Sequence, residues 1–248
     1  MPKLQQEDLA KLLPKEILDL NLIVLMEFGS KLYGTDTPES DMDFKGIYLP
    51  TKNQILLNRI PKSVSYRTKP DKKDEKNTKD DIDCQVFSLH YFLELASKGE
   101  TAAIDMLHAP DDWPLYSSDL WVDIRKRRQM FYSKNLKAFV SYARKQVAKY
   151  GLKGIDWKAM SHALRAATEV TSILTKGDII FPLQNAEFLR KVKQGKYDFS
   201  ATVLPLLETY MGICEEAAMT SSLPDSVDLN QIDNLLIEVL RGIYETKK

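Results

Sequence analysis

The run Leu22-Ile23-Val24-Leu25-Met26-Glu27-Phe28-Gly29-Ser30-Lys31-Leu32-Tyr33-Gly34, followed after a short loop by Ser40-Asp41-Met42-Asp43-Phe44, sets the architecture of this chain. It opens with five consecutive apolar residues, the pattern of a buried strand. Gly29-Ser30 then turns the chain, and Lys31 to Tyr33 open a short helix. Backbone N–H groups at such a turn make a cradle for an anion. A second strand is expected from about Met42 to Leu49, stopped by Pro50. Residues i and i+2 of a strand face the same way, so Asp41 and Asp43 project together while Met42 and Phe44 pack on the opposite face. Two carboxylates beside a phosphate cradle are what two-metal chemistry on a nucleoside triphosphate requires.

Upstream, Leu9, Leu12, Leu13, Ile17 and Leu18 have a helical spacing interrupted by Pro14. Downstream, residues 54–60 are apolar and fit either helix or strand. Thr68 to Asp80 is rich in Lys, Asp, Glu, Asn and Thr, and is expected to form an exposed, mobile loop. Ile82 to Phe87 reads as a third strand. Ser88 caps a helix striped with Leu89, Phe92, Leu93 and Ala96 and stopped by Gly99. A short helix from about Thr101 to Leu107 ends before Pro110. Beyond about residue 115 the pattern is helical, with N-caps expected at Ser133, Asp156, Ser200 and Asp228. The break at Pro110 to Pro114 divides the chain into a head, residues 1–112, and a helical domain, residues 113–248.

Composition limits the function classes. Lys+Arg and Asp+Glu both number 35, so there is no global basic field of the kind that announces a nucleic-acid partner. Two cysteines, Cys84 and Cys214, form neither a disulfide framework nor a metal-ligand spacing, and suit a reducing cytoplasm as buried small hydrophobes. No signal-peptide pattern and no apolar run long enough for a bilayer occur, so a cytoplasmic protein without a membrane partner is expected. No Walker Gly-x-x-x-x-Gly-Lys-Ser/Thr string and no protein-kinase Gly-rich loop or His-Arg-Asp set is present.

Phosphoryl transfer of this kind needs a third acid beside the Asp41/Asp43 pair. Asp81 and Asp83 stand at i and i+2 on the third strand, and periodicity does not choose between them. In the tail, Lys158, His162 and Arg165 share one helix face, with Met160, Ala163, Leu164 and Ala167 largely on the other. Such a strip can clamp a triphosphate, or it can be a solvated face. Arg125-Lys126-Arg127-Arg128 is the densest basic cluster, either an RNA-backbone contact or, more commonly, a solvated helix face.

The string from Gly29 through Ile47 resembles the signature of the DNA polymerase beta-like nucleotidyltransferase superfamily, in the branch associated with RNA ligase and RNA repair. It matches Gly-Ser-x-x-Tyr-Gly-Thr-x-Thr-Pro-x-Ser-Asp-x-Asp-x-x-Gly-Ile. Lys158-x-x-x-His162-x-x-Arg165, the run Leu174 to Pro182, and the pair Tyr142 and Gln146 are further echoes. The chain departs from the family where a basic Arg-Lys pair commonly follows Ser-Leu and a Gly-Asn-Pro turn follows the helix. It has His90-Tyr91 and Gly99-Glu100-Thr101 there, which bears on acceptor binding.

The resemblance implies an α+β fold, a small mixed-sheet head followed by an all-helical C-terminal domain. It implies transfer of a nucleoside monophosphate from an NTP to a hydroxyl acceptor, an RNA (tRNA) 3′ end in RNA repair. It selects Asp83 as the third acid, so that Asp41, Asp43 and Asp83 hold two Mg2+ ions, with Mn2+ as a substitute. Gly29, Ser30, Lys31, Lys158, His162 and Arg165 are then expected at the nucleotide. Two alternatives stand beside this reading: a nucleotide-binding regulatory or antitoxin-like protein without transfer activity, and NMP transfer to a protein or small-molecule hydroxyl.

Overall fold

The computed structural model describes residues 6–69, 78–137 and 154–245. Among the described residues the head is a five-stranded mixed sheet in the order β3-β4-β2-β1-β5. Its strands are β1 (Leu22–Glu27), β2 (Met42–Tyr48), β3 (Ser63–Arg67), β4 (Ile82–Ser88) and β5 (Tyr116–Ser117). β2 and β4 run parallel, and the other neighbours are antiparallel. Two short helices precede β1, α1 (Gln6–Leu12) and α2 (Lys15–Leu18), separated at Pro14 as the sequence suggests. α3 (Ser30–Tyr33) follows β1, and α4 (Lys52–Leu56) resolves the ambiguous 54–60 run as a helix end with a Thr51/Gln54 capping box. α5 (Leu89–Ser97), α6 (Thr101–His108) and α7 (Asp119–Lys126) complete the head and its exit.

The tail holds α8 (Trp157–Lys176), α9 (Ala186–Lys193), α10 (Leu204–Thr220) and α11 (Leu229–Glu245) among the described residues. α8 organises it. The Asp156 carboxylate accepts from Ala159 N at 2.9 Å to start the helix, and Gly177, at φ 72°, ends it.

Strand alternation sends two sets of side chains to two layers. Leu25, Phe44, Tyr48, Cys84 and Val86 pack under Leu9, Leu13 and Ile17. Val24, Met26, Ile47 and Phe87 join a larger core that runs through α5 and α6 into Leu164, Leu189, Leu207 and Leu235 of the tail helices. Head and tail therefore share one core. At their junction Gly34, at φ 75°, lies so close to Pro182 that a Cβ would stand 2.8 Å from the proline Cβ, and Leu183 N donates to Tyr33 O at 3.1 Å.

The α+β class, with a mixed-sheet head and a helical C-terminal region, is as the sequence implied. Two strands went unread. β3 was passed over, and β5, two residues long, lies past residue 112 yet pairs with β1 at Val24 and Leu25. The helical reading from residue 115 is corrected there, because a two-residue strand has no periodicity to detect. Thr68, Lys69 and Thr78, at the described ends of the Thr68–Asp80 segment, are held by Asp81; residues 70–77 lie outside the described residues, as do Tyr142 and Gln146. Both cysteines are buried and free, and no described helix is long and apolar enough to cross a membrane.

Candidate active site

β1 delivers the chain to the turn, and Phe28 N donates to Asp43 O at 2.8 Å, which fixes the turn against β2. Gly29 takes φ 62° and ψ −134°, a backbone that side-chain-bearing residues rarely adopt. A Cβ there would stand 2.2 Å from Asp43 Oδ2. Glycine is thus required twice, for the turn and for the space the carboxylate occupies.

The parallel pairing of β2 with β4 places Asp43 opposite Asp83 and Lys45 opposite Gln85. Lys45 Nζ donates to Gln85 Oε1 at 2.7 Å. On the far side of β4, Arg67 of β3 meets Asp83, Nε to Oδ2, at 3.0 Å. Burial, and then the charges of Asp41 and Asp83, raise the Asp43 carboxyl to about 6, against the opposing pull of Lys45 and Lys158. Asp81 has other work. Its carboxylate accepts from the Thr78 backbone N–H at 2.6 Å and from the Thr78 hydroxyl at 2.8 Å, and it pairs with Lys69 at 3.0 Å. These contacts, the backbone bond first, hold it down at about 2. Asp83 lines the cavity described next, and Asp81 does not.

That cavity, of about 360 Å³, lies between the head and the tail helices. Gly29, Ser30, Asp41, Asp43, Lys45 and Asp83 form one wall. Lys158, His162 and Arg165 of α8 and Lys193 of α9 form the other. His162 is solvent-exposed at the rim. Crowding at the cavity edge, and then the charges of Arg165, Lys158 and Lys193, lower its imidazole below the usual value. Lys193 is likewise lowered, by burial first and by Lys158 second.

Arg165 differs from its neighbours on the strip. It is buried, and its Nη1 bonds Asp105 at 2.8 Å and both Glu169 oxygens at 2.8 and 2.9 Å. Its guanidinium lies 4.0 Å from the centre of the Tyr33 ring, whose hydroxyl donates to Asp105 at 2.8 Å. Burial raises both carboxyls, Glu169 to about 8. Arg165 thus reaches the cavity from within a buried network that joins α3, α6 and α8.

Of the residues singled out in the sequence, Gly29, Ser30, Asp41, Asp43, Asp83, Lys158, His162 and Arg165 line this one cavity. Lys31 is not in its lining, and its ammonium is 3.3 Å from Glu27 at the end of β1. Lys45 and Lys193 were not foreseen. The alternation that groups Asp41 with Asp43 reaches Lys45 as well; Lys193, on a separate helix, had no signal. The basic cluster is largely spent on the fold. Arg125 holds Asp111 and two backbone carbonyls, Arg127 holds Glu238 and Asp123, and Arg128 holds Asp178.

The donor set suits a hard divalent cation. Its candidate ligands are all carboxylate oxygens, and Asp43 is raised by burial first and then by Asp41 and Asp83, the charges a cation would neutralise. Among the described residues no three acidic, His or Cys side chains are gathered closely enough as they stand to hold a metal. Asp83 is engaged by Arg67 instead. Asp41 and Asp43, with Asp83 turned from Arg67, are the groups that would hold the ion.

A family model for the RNA repair pathway DNA polymerase beta family (RlaP) matches residues 1–231. An uncharacterised 38.9 kDa protein of the nrdC–mobD intergenic region of Enterobacteria phage T4 is 29% identical, over 89% of this chain and 97% of its own length. Among solved structures, a nucleotidyltransferase-like protein from Exiguobacterium sibiricum aligns over 95% of this chain and 79% of its own, at 8% identity and a TM-score of 0.33. Spectinomycin adenyltransferase AAD(9) from Enterococcus faecialis, with ATP and spectinomycin, aligns over 84% of this chain and 97% of its own, at 14% identity and a TM-score of 0.41. By the match over residues 1–231, the chain belongs to the RNA repair pathway DNA polymerase beta family, and so to the nucleotidyltransferases.

Proposed function

We propose that this protein transfers a nucleoside monophosphate from an NTP to the 3′ hydroxyl of an RNA, with Mg2+ bound by Asp41, Asp43 and Asp83. One observation carries the reading: Asp43 on β2, Asp83 on the parallel neighbour β4 and Asp41 just before β2 line a single cavity together with the cations Lys158 and Lys193. The acidic wall suits metal and acceptor hydroxyl, and the basic wall suits the triphosphate. The backbone at Gly29-Ser30 and the Ser30 hydroxyl hold phosphate oxygens at the turn. Bound Mg2+ supplies charge neutralisation at the reacting phosphate and lowers the pKa of the attacking hydroxyl. The acceptor oxygen attacks the α-phosphorus, the bond to the β-phosphate oxygen breaks, and pyrophosphate leaves toward Lys158 and Lys193. Asp83, once its ion pair with Arg67 opens, would take the hydroxyl proton.

The test is incubation of the purified protein with each α-labelled NTP, Mg2+ and total cellular RNA. Label on RNA 3′ ends, lost in Asp43→Ala, supports the reading; no label in RNA overturns the acceptor. The ion-paired state of Arg125, Arg127 and Arg128 favours a second reading, NMP transfer to a protein or small-molecule hydroxyl. It predicts label in the protein or small-molecule fraction when a whole-cell extract replaces the RNA.

A further inference from the structure

A second cavity, of about 410 Å³, lies farther along α8, beyond the Arg165–Glu169 pair. Nothing in the chemistry above uses it. Its volume lies within the range of sites that hold a small organic ligand, roughly 300–1,000 Å³. Ile179, Leu183 and Tyr210 supply flat apolar and aromatic wall. Thr168, Ser172 and Thr175 supply hydroxyls along α8. Asn185 is part of its lining, and the Asn185 Oδ1 is buried with no hydrogen-bond partner among the described residues. Ile180, at 70% exposure, stands in its lining as an apolar side chain left in water.

The charges exclude a polyphosphate. Lys176 is the one cation in the described lining, against Glu169 and Asp178. An uncharged ligand with apolar faces and a hydrogen-bonding edge suits this lining: its faces against Leu183 and Tyr210, its edge toward Asn185, and its donors to the hydroxyl oxygens of Thr168, Ser172 and Thr175, whose own protons go to backbone carbonyls. A nucleobase with its ribose is such a ligand.

The two cavities share one helix face. Lys158, Arg165 and Ser172 recur every seven residues, as do Ser161, Thr168 and Thr175, so each set stays within about 20° of one line along α8. The first half of the stripe lines the candidate active site, and the second half lines this cavity. Arg165 and Ser172 are about 10 Å apart along the axis at ~1.5 Å per residue, about three nucleotides of stacked strand.

We propose that this cavity is a nucleoside pocket that seats an unstacked base of the RNA acceptor, with Lys176 at its edge for a backbone phosphate. The proposal rests on the RNA-acceptor reading above, and the test separates the two. Thr175 is exposed and bonds within its own helix, so Thr175→Trp can block the cavity without disturbing the core. Asn185→Leu removes the unpartnered carbonyl. Folding of both is checked by circular dichroism and thermal melting. Where RNA is labelled, either change raises the KM for RNA at least tenfold and leaves the KM for NTP within twofold. If both KM values for RNA stay within twofold of the parent, the proposal is wrong. Where no RNA is labelled, the acceptor reading has failed, and the pocket is judged by direct titration with adenosine, guanosine, cytidine and uridine. Saturable binding that survives Asp43→Ala and saturating ATP, and is lost in Thr175→Trp, upholds a nucleoside pocket. No binding, or binding that ATP displaces, overturns it.

Discussion

At the scale of single residues, Asp43 is where stability and chemistry oppose each other. An acid raised from 3.8 to about 6 stabilises the fold below its unfolded pKa, and that contribution is lost as pH rises through 6. At pH 8 without metal the ionised group is a liability. A shift of this size is worth ~3 kcal/mol at full burial, and Asp43 keeps part of its surface in water, so roughly 1–2 kcal/mol is expected. Asp43→Asn should therefore raise the metal-free melting temperature at pH 8, and Mg2+ should raise that of the parent but not of the variant. Parallel melts with and without Mg2+ decide it. For transfer itself, Asp41→Ala and Asp43→Ala should each cost about a thousandfold, near 4 kcal/mol. Gly29→Ala is expected to cost at least a hundredfold in turnover, because its Cβ would occupy the position of Asp43 Oδ2. These residues were legible because a period of two and a glycine turn are local signals. Lys45 obeys the same period, and only its being a lysine on a strand of acids hid it.

At the scale of elements, α8 bears opposite duties on one face. Lys158 and His162 stand at the cavity, while Arg165 is clamped between Asp105 and Glu169. Helical spacing groups all three residues, and it cannot say which is clamped, because Asp105 arrives from α6 through tertiary packing. Arg165→Met should unfold the protein more easily by about 3–5 kcal/mol in urea titrations, since it strands two buried carboxyls. Because Arg165 also lines the cavity, activity of that variant is read beside its urea titration. Glu169, raised from 4.5 to about 8, contributes stability that is complete below about 4.5 and gone above about 8. Melting temperature should fall between pH 6 and pH 9 in the parent and fall less in Glu169→Gln; equal slopes would place the proton elsewhere. β3 and β5 escaped the sequence for a related reason. An edge strand of five residues and one of two residues owe their existence to a neighbour, and that neighbour is distant in sequence.

At the scale of the whole molecule, the candidate site exists only because head and tail close on a common core. Asp43 and Asp83 come from β2 and β4, Asp41 from the residue before β2, and Lys158 and Lys193 from α8 and α9, more than seventy residues later in the chain. The basic cluster at Arg125 to Arg128 shows the contrast. It has the greatest density of positive charge in the sequence, yet Arg127 and Arg128 bind Glu238 and Asp178 and so tie α7 and the turn after it to the tail. Lys158 and Lys193 face Asp41 and Asp43 across a narrow cleft, where each cation is partly neutralised by acids that a metal would occupy. Once a metal occupies the acids, those cations become free to attract phosphate, in a site less screened than the surface. Lys158→Ala and Lys193→Ala are therefore expected to raise the KM for NTP at least fivefold each, with a weaker salt dependence of KM than the parent. Arg127→Ala and Arg128→Ala should leave that KM within twofold while lowering the melting temperature by a few degrees. Initial rates across NTP and salt concentrations, read beside thermal melts, separate the two pairs. If the Arg127 and Arg128 variants lose NTP and the lysine variants keep it, the triphosphate lies outside the cleft and the basic wall has no part in holding it.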